Sequence, residues 1–138
     1  MNNYIATGRV ATTPKFGTTQ NGTSKLTFTF IAGSRIKEGE NYLSFSVQAV
    51  IYGKPAETLY DTLSKGSPLS LAGDLGTRSY EDENGEKKYF TFLLVDKYDY
   101  GESLEMALMR KNKNQKALNE EEQNFPPVGR DMDDYINE

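Results

Sequence analysis

The chain contains no histidine, no cysteine and no tryptophan. Without histidine or cysteine there is no Ser-His or Cys-His nucleophilic relay, no zinc site of the usual ligands and no disulfide framework. Carboxylate, lysine and serine chemistry remain, but no pair of carboxylates is placed in an identifiable cleft. Neither an enzyme nor a metal or cofactor site is therefore expected. No run approaches the roughly 18 apolar residues of a membrane span, so no membrane partner is expected. The first twenty residues lack the apolar core of a secretory signal, which makes the cytoplasm the expected compartment.

What is present divides in two. The 138 residues have a mean hydropathy of -0.68 and 26% charged residues, and the length suits one domain of roughly 100 to 150 residues with a tail. Residues 1 to 100 carry eleven basic and eleven acidic groups, whereas residues 101 to 138 carry five basic against nine acidic, which supplies the whole net charge of -4. Fourteen of the sixteen aromatic residues lie in the first part. An aromatic, neutral domain over 1-100 is thus followed by a polar segment over 101-138. Such a composition buries too little to offset its ordering entropy, so a flexible tail is expected. Ser103 to Lys111 is compatible with a helix, but an isolated helix of that length is marginal in water.

Strand patterns dominate the first hundred residues. Leu26, Phe28 and Phe30 alternate with polar neighbours, and Leu43, Phe45, Val47, Ala49 and Ile51 alternate with Tyr42, Ser44, Ser46, Gln48, Val50 and Tyr52. Period two marks strands with one buried face. A first strand near Tyr4 to Ala11 ends before Pro14. The period then changes: Ala56, Leu59, Tyr60 and Leu63 sit at i, i+3, i+4 and i+7, Pro55 suits a first helical turn, and Gly66 suits a stop. Two more strands follow, SPLSLAGDLGTRSY and KKYFTFLLVDKY, joined across Asn84-Gly85, a dipeptide that readily adopts positive φ. Three strands, one helix and two strands fit an all-β, five-stranded Greek-key barrel, the OB-fold, with its helix between strands 3 and 4. Gly8, Gly33 and Gly73 fall inside strands, where a small barrel needs bends or bulges.

Several segments resemble one family. Gly8-Arg9-Val10, Asn21-Gly22, Phe28-Thr29-Phe30, Tyr52-Gly53-Lys54-Pro55-Ala56-Glu57, Leu63-Ser64-Lys65-Gly66-Ser67 and Gly73-Asp74-Leu75-Gly76-Thr77-Arg78-Ser79-Tyr80 stand in the order and spacing of the bacterial and phage single-stranded DNA-binding proteins. The resemblance covers about residues 1 to 100. It implies binding of single-stranded DNA without strong sequence preference in replication, recombination or repair, in the cytoplasm of a bacterium or a phage-infected host. It also implies a homo-oligomer, most often a tetramer.

Such binding requires flat π-faces for bases and cations for phosphates. Tyr52 and Tyr80 match the family's stacking positions, with Lys54 and Arg78 beside them. Arg35, Lys37, Lys87 and Lys88 fall in the hairpins that flank the groove of such barrels. Two positions depart from the family pattern. Ser46 replaces a third stacking aromatic, with Phe16 or Tyr42 as the candidate substitute, and Thr13 stands where aspartate is common. The end of the chain, with Asp131, Asp133, Asp134, Tyr135 and Ile136, resembles the family's partner-recruiting acidic peptide for replication or recombination proteins but lacks its closing Pro-Phe.

Blander readings stand beside these. The tyrosines can be mere barrel surface, and Lys54 and Arg78 solvated strand-end charges. Asp82, Asn84 and Glu86 alternate like calcium ligands, but they lack flanking helices, and Asn-Gly accounts for the turn. From a different functional class, the barrel can serve as a protein-interaction or primosome-like accessory module. The neutral charge of residues 1 to 100 favours that alternative, because nucleic-acid domains usually carry a basic patch.

Overall fold

A computed structural model describes residues 1-124. Its elements are β1 (Tyr4–Val10), β2 (Lys15–Thr18), β3 (Ser24–Glu38), β4 (Asn41–Tyr52), α1 (Lys54–Thr62), β5 (Pro68–Glu81), β6 (Lys87–Tyr100) and α2 (Leu104–Asn124). Hydrogen bonding runs β1-β5-β6-β4-β3, and a further antiparallel pairing of β1 with β3 closes the five strands into a barrel. The β4–β6 pairing is parallel; all the others are antiparallel. The short β2 lies outside the ring as an edge on β3.

The core follows the alternation. Leu26, Phe28, Phe30, Val47, Ala49, Ile51, Leu69, Leu71 and Leu93 point inward, and Ala56 and Leu59 of α1, with Leu63 just after it, pack against them. Each large side chain buried here contributes about 1.5–3 kcal/mol. At Gly8 and Gly73 the strands approach so closely that a Cβ would collide with the carbonyl oxygens of Ile31 and Leu94. Gly33, by contrast, has open space around it and begins the irregularity between Gly33 and Lys37.

Three local expectations change. Leu43 and Phe45 are exposed, because β3 beyond Ala32 and β4 before Val47 extend past the barrel as a two-stranded arm. Tyr60 is 42% exposed and lies at the border of the helix face, while Thr62 is buried in its place. The helix also ends at Thr62, with Leu63 extended, before reaching Gly66.

The largest change concerns the segment after the barrel. Residues 104-124 form a helix of 21 residues rather than loose chain. Ser103 starts it, its Oγ accepting from the Met106 N–H, which satisfies one of the unpaired amides of a first turn. Docking supplies what an isolated helix lacks. Ala107 is buried, Arg110 pairs with the nearly buried Glu102, Lys111 Nζ donates to the Tyr60 carbonyl, and Asn114 donates to the Lys65 carbonyl at 2.6 Å. Carbonyls at and beyond the end of α1 are satisfied from α2. Asp131, Asp133, Asp134, Tyr135 and Ile136 lie outside the described residues.

Candidate nucleic-acid interface

Strand register decides which side chains share a face. Along β4, Gln48, Val50 and Tyr52 lie on the side opposite Val47, Ala49 and Ile51, although Val50 is itself covered and only 1% exposed, against the expectation from the alternation. Gln48 pairs with Phe92 and Val50 with Leu94, so Phe92, Phe90 and Lys88 continue that face on β6. Phe92 pairs with Gly76, Phe90 with Arg78 and Lys88 with Tyr80, which carries the face onto β5. On the other side of β4, Lys25 pairs with Tyr52, Thr27 with Val50 and Thr29 with Gln48, but Lys25 and Thr27 are buried there. Lys15 pairs with Thr27 and extends the face onto β2.

The result is a band of rings with cations between them. Tyr80 and Phe90 lie 6.0 Å apart, Phe90 and Phe92 lie 6.5 Å apart, and the Arg78 guanidinium sits 5.6 Å from the centre of the Phe92 ring. Gly76 makes room for Phe92, since a Cβ there would meet the ring at 2.6 Å. Tyr52 and Tyr80 each stand four residues from the Phe92 rung, in opposite directions. At about 3.3 Å per residue they are separated by roughly 26 Å along the strands. Tyr52 is followed by Gly53, whose positive φ of 80° turns the chain into α1 and leaves Lys54 exposed at its first residue.

The expected residues fall into three groups. Tyr52, Arg78, Tyr80 and Lys88 share the band, Lys54 stands at its edge, and Lys88 also pairs with Glu86 at 3.4 Å. Arg35 and Lys37 occupy the β3–β4 arm, where Lys37 Nζ lies 5.1 Å from the Tyr42 ring, and Lys87 points to the other side of β6, 5.7 Å from the Tyr89 ring. Phe16 does not join the band. It pairs with Leu26 and so faces the helix side, where its ring stacks on Tyr60 at 4.9 Å. Tyr42, the other candidate to replace the ring missing at Ser46, lies out on the arm.

Phe90 and Phe92 are the residues that sequence reading missed. Phe92 lies beside Gln48, one alternate position from Ser46, and thus brings a ring next to the place where the family's third aromatic is absent. The Asp82 carboxylate of the β5–β6 turn is engaged structurally, with Oδ1 accepting from the Asn84 and Glu86 amides. Among the described residues no cluster of acidic groups is arranged to hold a metal. No described helix is long and apolar enough to cross a membrane.

Comparison with known proteins identifies the family. Residues 1–100 match the sequence model of the single-strand binding protein family. The chain belongs to the single-strand binding protein family. A single-stranded DNA-binding protein of Clostridium tetani is 33% identical over 102 residues, covering 72% of this chain and 70% of that protein. Single-stranded DNA-binding protein 3 of Listeria innocua is 32% identical over 105 residues, covering 75% of this chain but only 65% of the relative's own length. A crystal structure of a small single-stranded DNA-binding protein from Streptomyces coelicolor superposes with a TM-score of 0.60 over 72% of this chain and 95% of that one. At 21% identity it bears on the fold alone.

Proposed function

We propose that the protein is a non-enzymatic binder of single-stranded DNA, which it covers and protects with little sequence preference. The observation that carries this reading is the band Tyr52, Phe92, Phe90 and Tyr80 with Arg78 and Lys88 between its rings. Every base has a π-face, so stacking tolerates any sequence, while the interleaved cations meet phosphates. The neutral balance of residues 1 to 100 does not oppose this, because Lys15, Arg78 and Lys88 are gathered on one face, where Lys25 is itself buried. Lys54, Arg35 and Lys37 act as flanking phosphate contacts, whereas Lys87, on the other side of β6, has no part in this reading.

Replication, recombination or repair in the cytoplasm is the setting we assign. We assign the acidic end of the chain, around Tyr135-Ile136, to recruitment of protein partners. Homo-oligomerisation, with a tetramer as the family's usual form, would use apolar residues such as Ile5, 71% exposed on β1. A solution mass measurement reads that state. The related proteins named above are bacterial, and they lend no support to a phage origin.

Titration with oligo-dT at several salt concentrations tests the central reading. Tyrosine emission should be quenched, and log affinity should fall with log salt by about 0.7 for each phosphate contacted. Absence of binding at low salt would return the barrel to the class of protein-interaction modules.

A further inference from the structure

A second aromatic and cationic cluster lies on the helix side of the barrel. Phe16 and Tyr60 stack with ring centres 4.9 Å apart and planes inclined by 27°. Lys111 of α2 places its Nζ 4.8 Å from the centre of the Tyr60 ring and donates to the Tyr60 carbonyl. Burial lowers the Lys111 pKa, partly offset by the nearby Asp61 carboxylate. Asn114 on the same helix holds the Lys65 carbonyl. One ring therefore connects three elements: the edge strand β2, the helix α1 and the docked helix α2.

The strand β2 needs such support. It has four residues, all exposed, and among the described residues it pairs with β3 alone. Alternation along it sends consecutive side chains to opposite faces. Phe16 reaches the helix side, and Lys15 faces the aromatic band through its pairing with Thr27. Anything that fixes Phe16 thereby fixes where Lys15 stands.

We propose that Phe16, Tyr60 and Lys111 form a clamp through which α2 positions β2, and with it the phosphate contact of Lys15. Phe16 is then a positioning residue, not a base-stacking one, and α2 is a working part of the DNA-binding unit although it lies beyond the family-matched residues 1–100. The Lys15 part of this inference rests on the proposed DNA-binding face; the clamp itself does not.

Two measurements on the full chain separate these parts. Amide hydrogen exchange in the absence of DNA reads local opening of β2. Phe16→Ala and Lys111→Ala should each accelerate exchange over residues 15-18 by about three- to tenfold, the factor expected for losing one aromatic or cation–π contact. Oligo-dT titration then reads the consequence. Lys15→Ala should reduce the salt slope by about 0.7; Phe16→Ala and Lys111→Ala should reproduce that loss, and neither should add to it when combined with Lys15→Ala. Unchanged exchange in β2 would overturn the clamp. Additive slopes would mean that Lys111 meets DNA directly, and a loss of affinity at constant slope in Phe16→Ala would make Phe16 a stacking residue. Either result overturns the positioning role. Faster exchange without any DNA binding by the unmodified protein would keep the clamp, remove its assigned consequence and reject the DNA reading.

Discussion

The two sides of the barrel use the same residue types for different ends. On the strand face, Tyr52, Phe92, Phe90 and Tyr80 are spread across three strands with cations set between them. On the helix side, Phe16 and Lys111 converge on the single ring of Tyr60. A ring spent on a ring holds elements together, whereas rings spaced along a strand face form a platform. Composition alone does not distinguish the two; placement does.

The contrast can be tested most strongly by deleting rings on each side. Combining Tyr52→Ala with Tyr80→Ala should cost roughly 2–6 kcal/mol in oligo-dT affinity, two stacking contacts at about 1–3 kcal/mol each, with the denaturation midpoint little changed. Tyr60→Ala should do the reverse, lowering stability by about 1 kcal/mol with a smaller effect on affinity. Titration and denaturant unfolding on the same samples read both quantities, and equal affinity losses would abolish the distinction.

Glycines give an intermediate test. Gly76→Ala drives a methyl group to within 2.6 Å of the Phe92 ring and should cost about 1–3 kcal/mol in stability, in affinity or in both. Gly17 on β2 has no other atom within 4 Å of the position its Cβ would take, so Gly17→Ala should be nearly silent. A silent Gly76→Ala would show that Phe92 has freedom to move on the band.

The smallest expected effect is that of pH on the helix side. Because burial lowers the Lys111 pKa below its ordinary 10.5 on folding, the unfolded chain binds that proton more tightly. Stability from this group therefore rises with pH, from its folded value up to 10.5. The unmodified protein should gain on Lys111→Met across that window in denaturant midpoints. A gap that stays constant would mean that docking of α2 leaves Lys111 fully hydrated.

Most of the barrel was legible because alternation is a local signal. The inward set Leu26, Phe28, Phe30, Val47, Ala49 and Ile51 is buried as its period required. Phe90 and Phe92 were not legible, because the β5–β6 register depends on the turn. A two-residue Asn84-Gly85 loop would pair Tyr80 with Tyr89 and send Phe90 and Phe92 to the opposite face. The actual five-residue loop, with Glu81 opposite Lys87 and Asp82 closing on the Glu86 carbonyl, pairs Tyr80 with Lys88. One residue of slip inverts every side chain. The place of Phe16 was not legible either, because the four-residue β2 is too short to carry a strand pattern of its own and takes its direction from pairing with β3. The length and docking of α2 were hidden because its stability comes from Ala107, Arg110, Lys111 and Asn114 meeting neighbours distant in sequence.

Local pattern in the chain specifies the alternation of individual strands, the positive-φ turn at Gly85, and the separation of an aromatic domain from a charged end. Each of these follows from interactions within a few residues. Only the tertiary structure decided that Tyr52 and Tyr80 lie on one surface. That depends on the parallel pairing of β4 with β6, which brings Gln48 beside Phe92 across some forty residues of chain. Pairing at that distance is selected by how well the whole barrel packs and closes, and no local pattern encodes it.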